Sequence, residues 1–547
     1  MLQFKLKRFL SINPHHYLFV TLIISLFFTT VSNIALWRHF YKIVTNGDNL
    51  SLSFIITAPI TIFLLMYAIF LILFSWKFVL KPACTLLFIS CAGATYAAIQ
   101  YGIIFDSDML TNFLETNLNE AKSYISLYSI GAILILGVIP SILLWRFKVY
   151  YPNFIKSQLQ RIAVTALVLV IAGISVIIYY QQYSFIGRNN RTLNKEILPV
   201  SYVHTTINYV KHRYFEKEMP YVAMGENAHK VTTTSKPKLM FLVLGETARA
   251  QNFSALGYNR NTNFYTNKEN VISFANVSSC GTSTAYSVPC MFSNMPRKKY
   301  TAKRAENREG ILDVLQKAGV NITWLDNDSG CKGVCDRVKN IRIEPTDKVH
   351  CDGSTCKDEI FLNYAKKLSE NVKEDTLIAF HLIGSHGPRY YERYPKKFRK
   401  YTPDCNRPDV ENCSLEEVRN AYDNTIAYTD YVIYELINIL ETHMKTNDTM
   451  LLYISDHGES LGENNLYLHG TPYAIAPKEQ TRIPMQLWIP DKSADSMRLN
   501  KKCISEKAKL LSFSHDNFFH SLMGLLQVRS AEYRKNLDIF SSCFTKS

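Results

Sequence analysis

The first 180 residues carry five long apolar stretches, about 17–37, 54–76, 78–105, 125–145 and 162–180. Each approaches the roughly 20 residues that cross a bilayer as helix, and helices satisfy their own backbone polar groups in lipid. The first half therefore reads as an α-helical membrane domain of five spans. No small-x-small cleavage site follows the first stretch, and four more come after it, so it reads as a membrane anchor and not as a signal peptide. At 547 residues the chain also exceeds one ordinary domain, and the second half must fold around a separate core.

Charge orients the spans. Lys5, Lys7 and Arg8 precede the first, Lys77 and Lys81 separate the second from the third, and Arg146, Lys148, Lys156 and Arg161 separate the fourth from the fifth. The loop after the third is acidic, with Asp106, Asp108, Glu115 and Glu120 against Lys122, although Arg38 and Lys42 after the first are a mild exception. The positive-inside bias puts the N-terminus in the cytoplasm, and an odd number of spans puts everything after about residue 181 outside the cell or in the periplasm.

Cysteine usage tests that placement, because disulfides persist in oxidising compartments. Of twelve cysteines, Cys84 and Cys91 lie in the third span and the other ten follow residue 279. Cys280 with Cys290, Cys331 with Cys335, Cys351 with Cys356, and Cys405 with Cys413 form close pairs, leaving Cys503 and Cys543 to meet over a longer loop. No C-x2-C knuckles occur, which favours bridges over a zinc ribbon, although spacing does not fix the pairing. The net charge of +15 points to anionic lipid headgroups more than to nucleic acid, since no recognition helix or aromatic RNA-binding motif is present.

Three regions result: a transmembrane domain over 1–180, an interfacial linker over 181–238, and an exported α/β domain over 239–547. The linker is polar and basic with scattered aromatics, suited to lying along a membrane surface. Beyond it, short apolar runs alternate with amphipathic stretches, the pattern of a parallel sheet covered by helices.

Four of those runs end in residues with ligand chemistry: "LMFLVL" at Glu246, "NITWL" at Asp326 to Asp328, "TLIAFHLIG" at His386, and "MLLYIS" at Asp456 and His457. Ligands bind beyond the carboxyl ends of strands in open α/β sheets, so the four runs predict one shared crevice. Glu246, Asp456 and His457 offer oxygen and nitrogen ligands for a catalytic zinc, with His386 and His469 nearby. A hydroxyl nucleophile is sought next to it, and "SSCGTSTAYSVPC", residues 278–290, supplies a rigid hydroxyl-rich loop whose backbone N–H groups can cradle a phosphate at a helix start.

Taken together, "GETARAQNFSALGY", "SCGTSTAYSVPCMFS", "GSHGPRYYERYP", "SDHGESLGE", "YLHG" and "RIPMQLW" behind five spans resemble the membrane-bound phosphoethanolamine transferases of Gram-negative bacteria, the lipid A transferases that confer polymyxin resistance. The resemblance runs over essentially the whole chain. It implies an alkaline-phosphatase/sulfatase-like fold, an inner-membrane location and a monomer. It also implies Zn2+ held by Glu246, Thr284, Asp456 and His457, with Thr284 as the nucleophile that carries phosphoethanolamine. His386 and His469 would bind phosphate or a second zinc, and either would serve as general acid. Lys332 would contact the substrate headgroup or phosphate; Asp328 stands beside it where the family often has Asn. Asn112, Glu115 and Asn117, in "LTNFLETNLNEA", resemble a periplasmic substrate-contacting segment.

The implied reaction takes phosphoethanolamine from phosphatidylethanolamine to a lipid A phosphate. A sulfatase shares the fold, but its C/S-x-P-x-R motif lacks its Arg here, because Met291 follows Ser287-Val288-Pro289-Cys290. A glycerol-phosphate transferase of the lipoteichoic acid type is the nearest enzymatic alternative, and a non-catalytic membrane sensor with a phosphatase-like domain is the alternative of another class.

Overall fold

A computed structural model describes residues 15–45, 50–116, 125–180, 182–183, 186, 190, 192–211, 219–231, 236–353, 355–407, 410–463 and 466–545. The chain divides into two compact units, one of Met1–Leu110 with Ile125–Phe215 and one of Thr111–Tyr124 with Glu216–Ser547.

In the first unit, α1 (Tyr17–Thr30) and α2 (Ile34–Thr45) meet at a bend of 57° and together make one candidate span. Four further helices are each long and apolar enough to cross a membrane: α3 (Leu52–Leu73), α4 (Leu80–Tyr101), α5 (Leu127–Arg146) and α6 (Phe154–Ile178). The apolar run read as continuous to Trp37 is thus interrupted, and Asn33 accounts for the break. Its amide donates to the carbonyls of Phe28 and Leu198 and its oxygen accepts from Leu198 N–H, so the side chain takes over backbone pairing that a straight helix would make itself. The last span starts at Phe154, ahead of the expected 162, because Asn153 caps it by accepting from Lys156 N–H. Arg161 therefore sits inside that helix, buried, with its guanidinium on the Ser75 hydroxyl and carbonyl and over the Trp76 ring. Phe28 stacks between Phe70 and Phe88 at the centre of the bundle. Part of the region read as an interfacial linker forms a helix, Val200–Val210.

Among the described residues of the second unit, seven strands form one sheet: β1 (Lys238–Gly245), β2 (Ile272–Ser273), β3 (Asn321–Asp326), β4 (Lys339–Arg342), β5 (Thr376–His381), β6 (Asp448–Ser455) and β7 (Met485–Trp488). Their order is β2-β7-β6-β1-β5-β3-β4; β6 through β4 run parallel, and β7 and β2 close one edge antiparallel. Every residue of β1 and β6 is buried, as expected of central parallel strands covered on both faces, and their runs "KLMFLVLG" and "DTMLLYIS" are accordingly apolar almost throughout. Among the helices around them, α7 (Thr284–Phe292) and α8 (Leu415–Thr442) position residues of the site; α8 starts with a capping box between Ser414 and Glu417.

The ten cysteines of this unit form five bridges: Cys280–Cys290, Cys331–Cys335, Cys351–Cys356, Cys405–Cys413 and Cys503–Cys543. Cys84 and Cys91 stay free and buried in α4.

Candidate active site

Parallel pairing brings the ligand residues together. Ser455 of β6 lies opposite Gly245 of β1, and Asp456 N–H continues the ladder onto the Gly245 carbonyl, so Glu246 and Asp456 leave neighbouring strands at the same level. Both are completely buried, as is His457. One Asp456 oxygen is fixed by the N–H groups of Thr247 and His457, and the other, Oδ2, has no hydrogen-bond partner. His457 donates from Nδ1 to the Gly458 carbonyl, which leaves Nε2 to face the Asp456 and Glu246 oxygens at 3.2 and 3.5 Å.

The hydroxyl that completes this group is Thr284, the first residue of α7. Its Oγ1 is 3.0 and 3.1 Å from the two Glu246 oxygens and 3.3 Å from His457 Nε2. Thr282, two residues earlier, instead donates to the Thr471 carbonyl. The helix start is anchored from behind: the Ser287 hydroxyl donates to the Asp456 carbonyl, and His515 accepts the Cys280 N–H at Nδ1 while donating from Nε2 to the Ser455 carbonyl.

The electrostatics suit a cation. Burial drives the Glu246 carboxyl up, with the charges of Asp456 and Asp328 adding to it, whereas for Asp456 the same burial is outweighed by His457 and by hydrogen bonds, so its carboxyl lies below the usual range. Burial holds the His457 imidazole low against the pull of Asp456, which keeps it neutral and ready to ligate. Glu246, Asp456 and His457 each place a ligand atom within 4.8 Å of the others. Two carboxylates and an imidazole, with one carboxylate oxygen orphaned in the interior, fit a divalent metal ion.

His386 and His469 stand on the same side. Their rings lie 5.5 Å apart, and His469 is 4.6 Å from the His457 ring. The buried Glu459 holds His469 through Nδ1 and itself accepts from the Tyr390 hydroxyl. The His386 loop passes so close to β1 that Gly384, at φ 49°, would put a Cβ 2.8 Å from the Glu246 carbonyl.

The third ligand-type strand end is β3. Asp326, Asp328 and Lys332 follow one another there, with the Lys332 ammonium donating to the Ser329 carbonyl. Asn112 lies on the helix Ser107–Glu115, the Glu115 side chain is not described, and Asn117 lies outside the described residues.

Comparison with known proteins decides the family. Residues 238–528 match the sulfatase family model, and residues 62–214 match the phosphoethanolamine transferase EptA/EptB model. The chain is 35% identical to phosphoethanolamine transferase EptA of Escherichia coli K12, over 98% of this chain and 99% of that protein. The chain belongs to the phosphoethanolamine transferase family. It is also 35% identical to the Escherichia coli phosphatidylethanolamine transferase Mcr-1, over 85% of this chain and 88% of that protein. Among solved structures, the integral membrane lipooligosaccharide phosphoethanolamine transferase A of Neisseria meningitidis superposes with a TM-score of 0.94 at 33% identity, covering 97% of this chain and 99% of that one. The transferase thus spans the membrane through its N-terminal helices and carries a periplasmic domain of sulfatase and alkaline-phosphatase type.

Two site residues of the transferase were not singled out from the sequence. His381 is the last residue of β5, whose run reads as extending to His386; the strand stops five residues earlier. His515 lies far along the chain in "SFSHDNFFH", with no strand or glycine signature to distinguish it, and only the fold brings it behind Thr284.

Proposed function

We propose that the transferase moves phosphoethanolamine from phosphatidylethanolamine to a phosphate of lipid A through a covalent Thr284 intermediate, and that it thereby confers polymyxin resistance. The observation that carries this reading is the Thr284 hydroxyl held between Glu246 and His457 at the start of a helix. The Mcr-1 relative is named for phosphatidylethanolamine transfer, and a more distant Escherichia coli relative is named Kdo(2)-lipid A phosphoethanolamine 7''-transferase. A glycerol-phosphate transferase would use the same threonine, so phosphoethanolamine is favoured by the relatives and not by the site alone; non-catalytic sensing gains nothing from this geometry.

Glu246, Asp456, His457 and the Thr284 oxygen would hold Zn2+. When bound, zinc would lower the pKa of the threonine hydroxyl and neutralise charge on the phosphoryl group. Thr284 Oγ attacks the donor phosphorus, its proton directed at the Glu246 carboxylate, and the diacylglycerol oxygen leaves with a proton from His386 or His469. A phosphate oxygen of lipid A then attacks the phosphothreonine, and Thr284 recovers its proton. The N–H groups at the start of α7 would receive the phosphoryl oxygens, since the helix end favours negative charge. Lys332 and Asp328 would recognise the donor's headgroup, with Asn112, Glu115 and Asn117 on the lipid-contacting segment.

Mass spectrometry of lipid A from cells expressing the chain tests the reading. Added phosphoethanolamine that disappears with Asp456→Ala is expected. Unmodified lipid A alongside correctly inserted, full-length protein would refute it.

A further inference from the structure

A second cluster lies on the other flank of Glu246, at the ends of β3 and β5, and the mechanism above does not use it as a metal site. Glu246, Asp328 and His381 each place a ligand atom within 4.8 Å of the others. His381 is completely buried. Its Nδ1 donates to Asp326 Oδ2 at 2.9 Å, and that carboxylate also accepts from the Trp324 indole and from the N–H groups of Asp328 and Gly330. With His381 Nδ1, the Trp324 indole and two backbone N–H groups all directed at the Asp326 carboxylate, the ring is held by Nδ1 and Nε2 is left as the atom facing the cluster.

Nε2 has no hydrogen-bond partner. The nearest acidic oxygen, Asp328 Oδ2, is 3.8 Å away and accepts the Ser329 hydroxyl. A second proton on Nε2 would have no acceptor within hydrogen-bond reach, whereas a lone pair there would confront two carboxylates with nothing between them. Glu246, Asp456, Asp326 and Asp328 together bring four carboxylates to adjoining strand ends.

We propose that Glu246, Asp328 and His381 form a second divalent-cation site, in which Glu246 bridges the two ions, Asp328 supplies a carboxylate and His381 ligates through Nε2. Two oxygen ligands and one imidazole suit Mn2+ or Zn2+ better than the softer ions that thiolates select. Asp328 is the residue that makes the site: an amide at that position would remove one of its negative charges and one of its anionic ligands.

The proposal rests on the reading of Glu246, Asp456 and His457 as the first metal site, and the test separates the two. Full-length protein in detergent is stripped of metal, reloaded with Mn2+ alone, and assayed for bound metal by elemental analysis and for spin coupling by electron paramagnetic resonance. The wild-type chain is expected to bind about two equivalents with the coupled signal of a carboxylate-bridged pair. Asp328→Asn and His381→Gln should each bind about one equivalent and give an uncoupled signal, while the His386→Ala/His469→Ala double variant keeps both equivalents. A wild-type chain that binds a single equivalent, or a second equivalent that survives Asp328→Asn and is lost in the histidine double variant, overturns the proposal. Asp456→Ala should lose the first-site equivalent and keep about one uncoupled equivalent, and Asp456→Ala combined with Asp328→Asn should bind none; two coupled equivalents in Asp456→Ala would refute the first-site reading instead, and loss of all metal in Asp456→Ala alone would count against the second site. Near-ultraviolet circular dichroism confirms that each variant is folded, and Asp328→Asn is nearly isosteric, so a loss of metal there is not a loss of fold.

Discussion

Two of the disulfides should trade places when ranked by stability and by activity. Cys503 and Cys543 are 40 residues apart in sequence, Cys280 and Cys290 are 10 apart, and Cys331 and Cys335 are 4 apart. If a bridge acts mainly by restricting the unfolded chain, closing loops of these lengths contributes about 4, 3 and 2 kcal/mol respectively at 25 °C. For a domain of about 300 residues, the entropy of unfolding near the midpoint is on the order of 0.6 kcal/mol per degree, so removing the longest bridge lowers Tm by roughly 6 °C and the shortest by roughly 3 °C. Activity should follow a different order, because only Cys280–Cys290 brackets the Thr284 helix start, where Cys280 N–H is also held by His515. Each pair is replaced by alanines, and the full chain is followed by thermal unfolding and by phosphoethanolamine transfer at 20 °C. The Cys503/Cys543 variant should lose the most stability and keep its low-temperature rate; the Cys280/Cys290 variant should lose less stability and at least tenfold in rate. Equal Tm losses for the three variants would refute the loop-closure argument, and an unchanged rate in the Cys280/Cys290 variant would refute the anchoring role.

Other expectations follow from groups around the site. Burial holds the His515 imidazole at about 4, well below its ordinary value of 6.5, so between those pH values the unfolded chain takes up a proton that the folded chain refuses; its stabilisation is complete above 6.5 and falls by about 3 kcal/mol as pH drops to 4, readable as a Tm decline that is weaker in His515→Gln. Ser287→Ala removes the donor to the Asp456 carbonyl and should cost about 1–2 kcal/mol in chemical unfolding together with several-fold in transfer rate; no change in either would show that the anchor is idle. Gly384→Ala forces a Cβ to 2.8 Å from the Glu246 carbonyl and should cost about 1–3 kcal/mol and on the order of tenfold or more in rate, whereas wild-type behaviour would mean the loop yields freely.

Much of this architecture is legible in the sequence because its signals are local. Uninterrupted apolar runs announce the spans, and runs such as "KLMFLVLG" that stop at a ligand residue announce both a buried parallel strand and the crevice beyond it. The bend between α1 and α2 was not legible, since Asn33 interrupts the helix through a bond to Leu198, 165 residues away. His381 was obscured by position: its Asp326 partner lies on another strand, and periodicity alone does not reveal which end residue of an apolar run turns toward a neighbour. His515 was illegible for the same reason, as its partners come from two distant segments, Cys280 and Ser287 from one and Ser455 from the other. The bridges fell into sequence-near pairs because four of the five close loops of ten residues or fewer.

The central claim is that Thr284 carries the group in transit, and peptide mass spectrometry tests it most directly. Full-length protein is incubated with phosphatidylethanolamine bearing an isotopically labelled headgroup, without acceptor, then quenched in acid and digested. The account predicts labelled phosphoethanolamine on Thr284, retained in Thr282→Ala, whose hydroxyl is engaged with the Thr471 carbonyl, and absent in Thr284→Ala. Label on Thr282 in the unsubstituted chain, or normal transfer by Thr284→Ala, would contradict it.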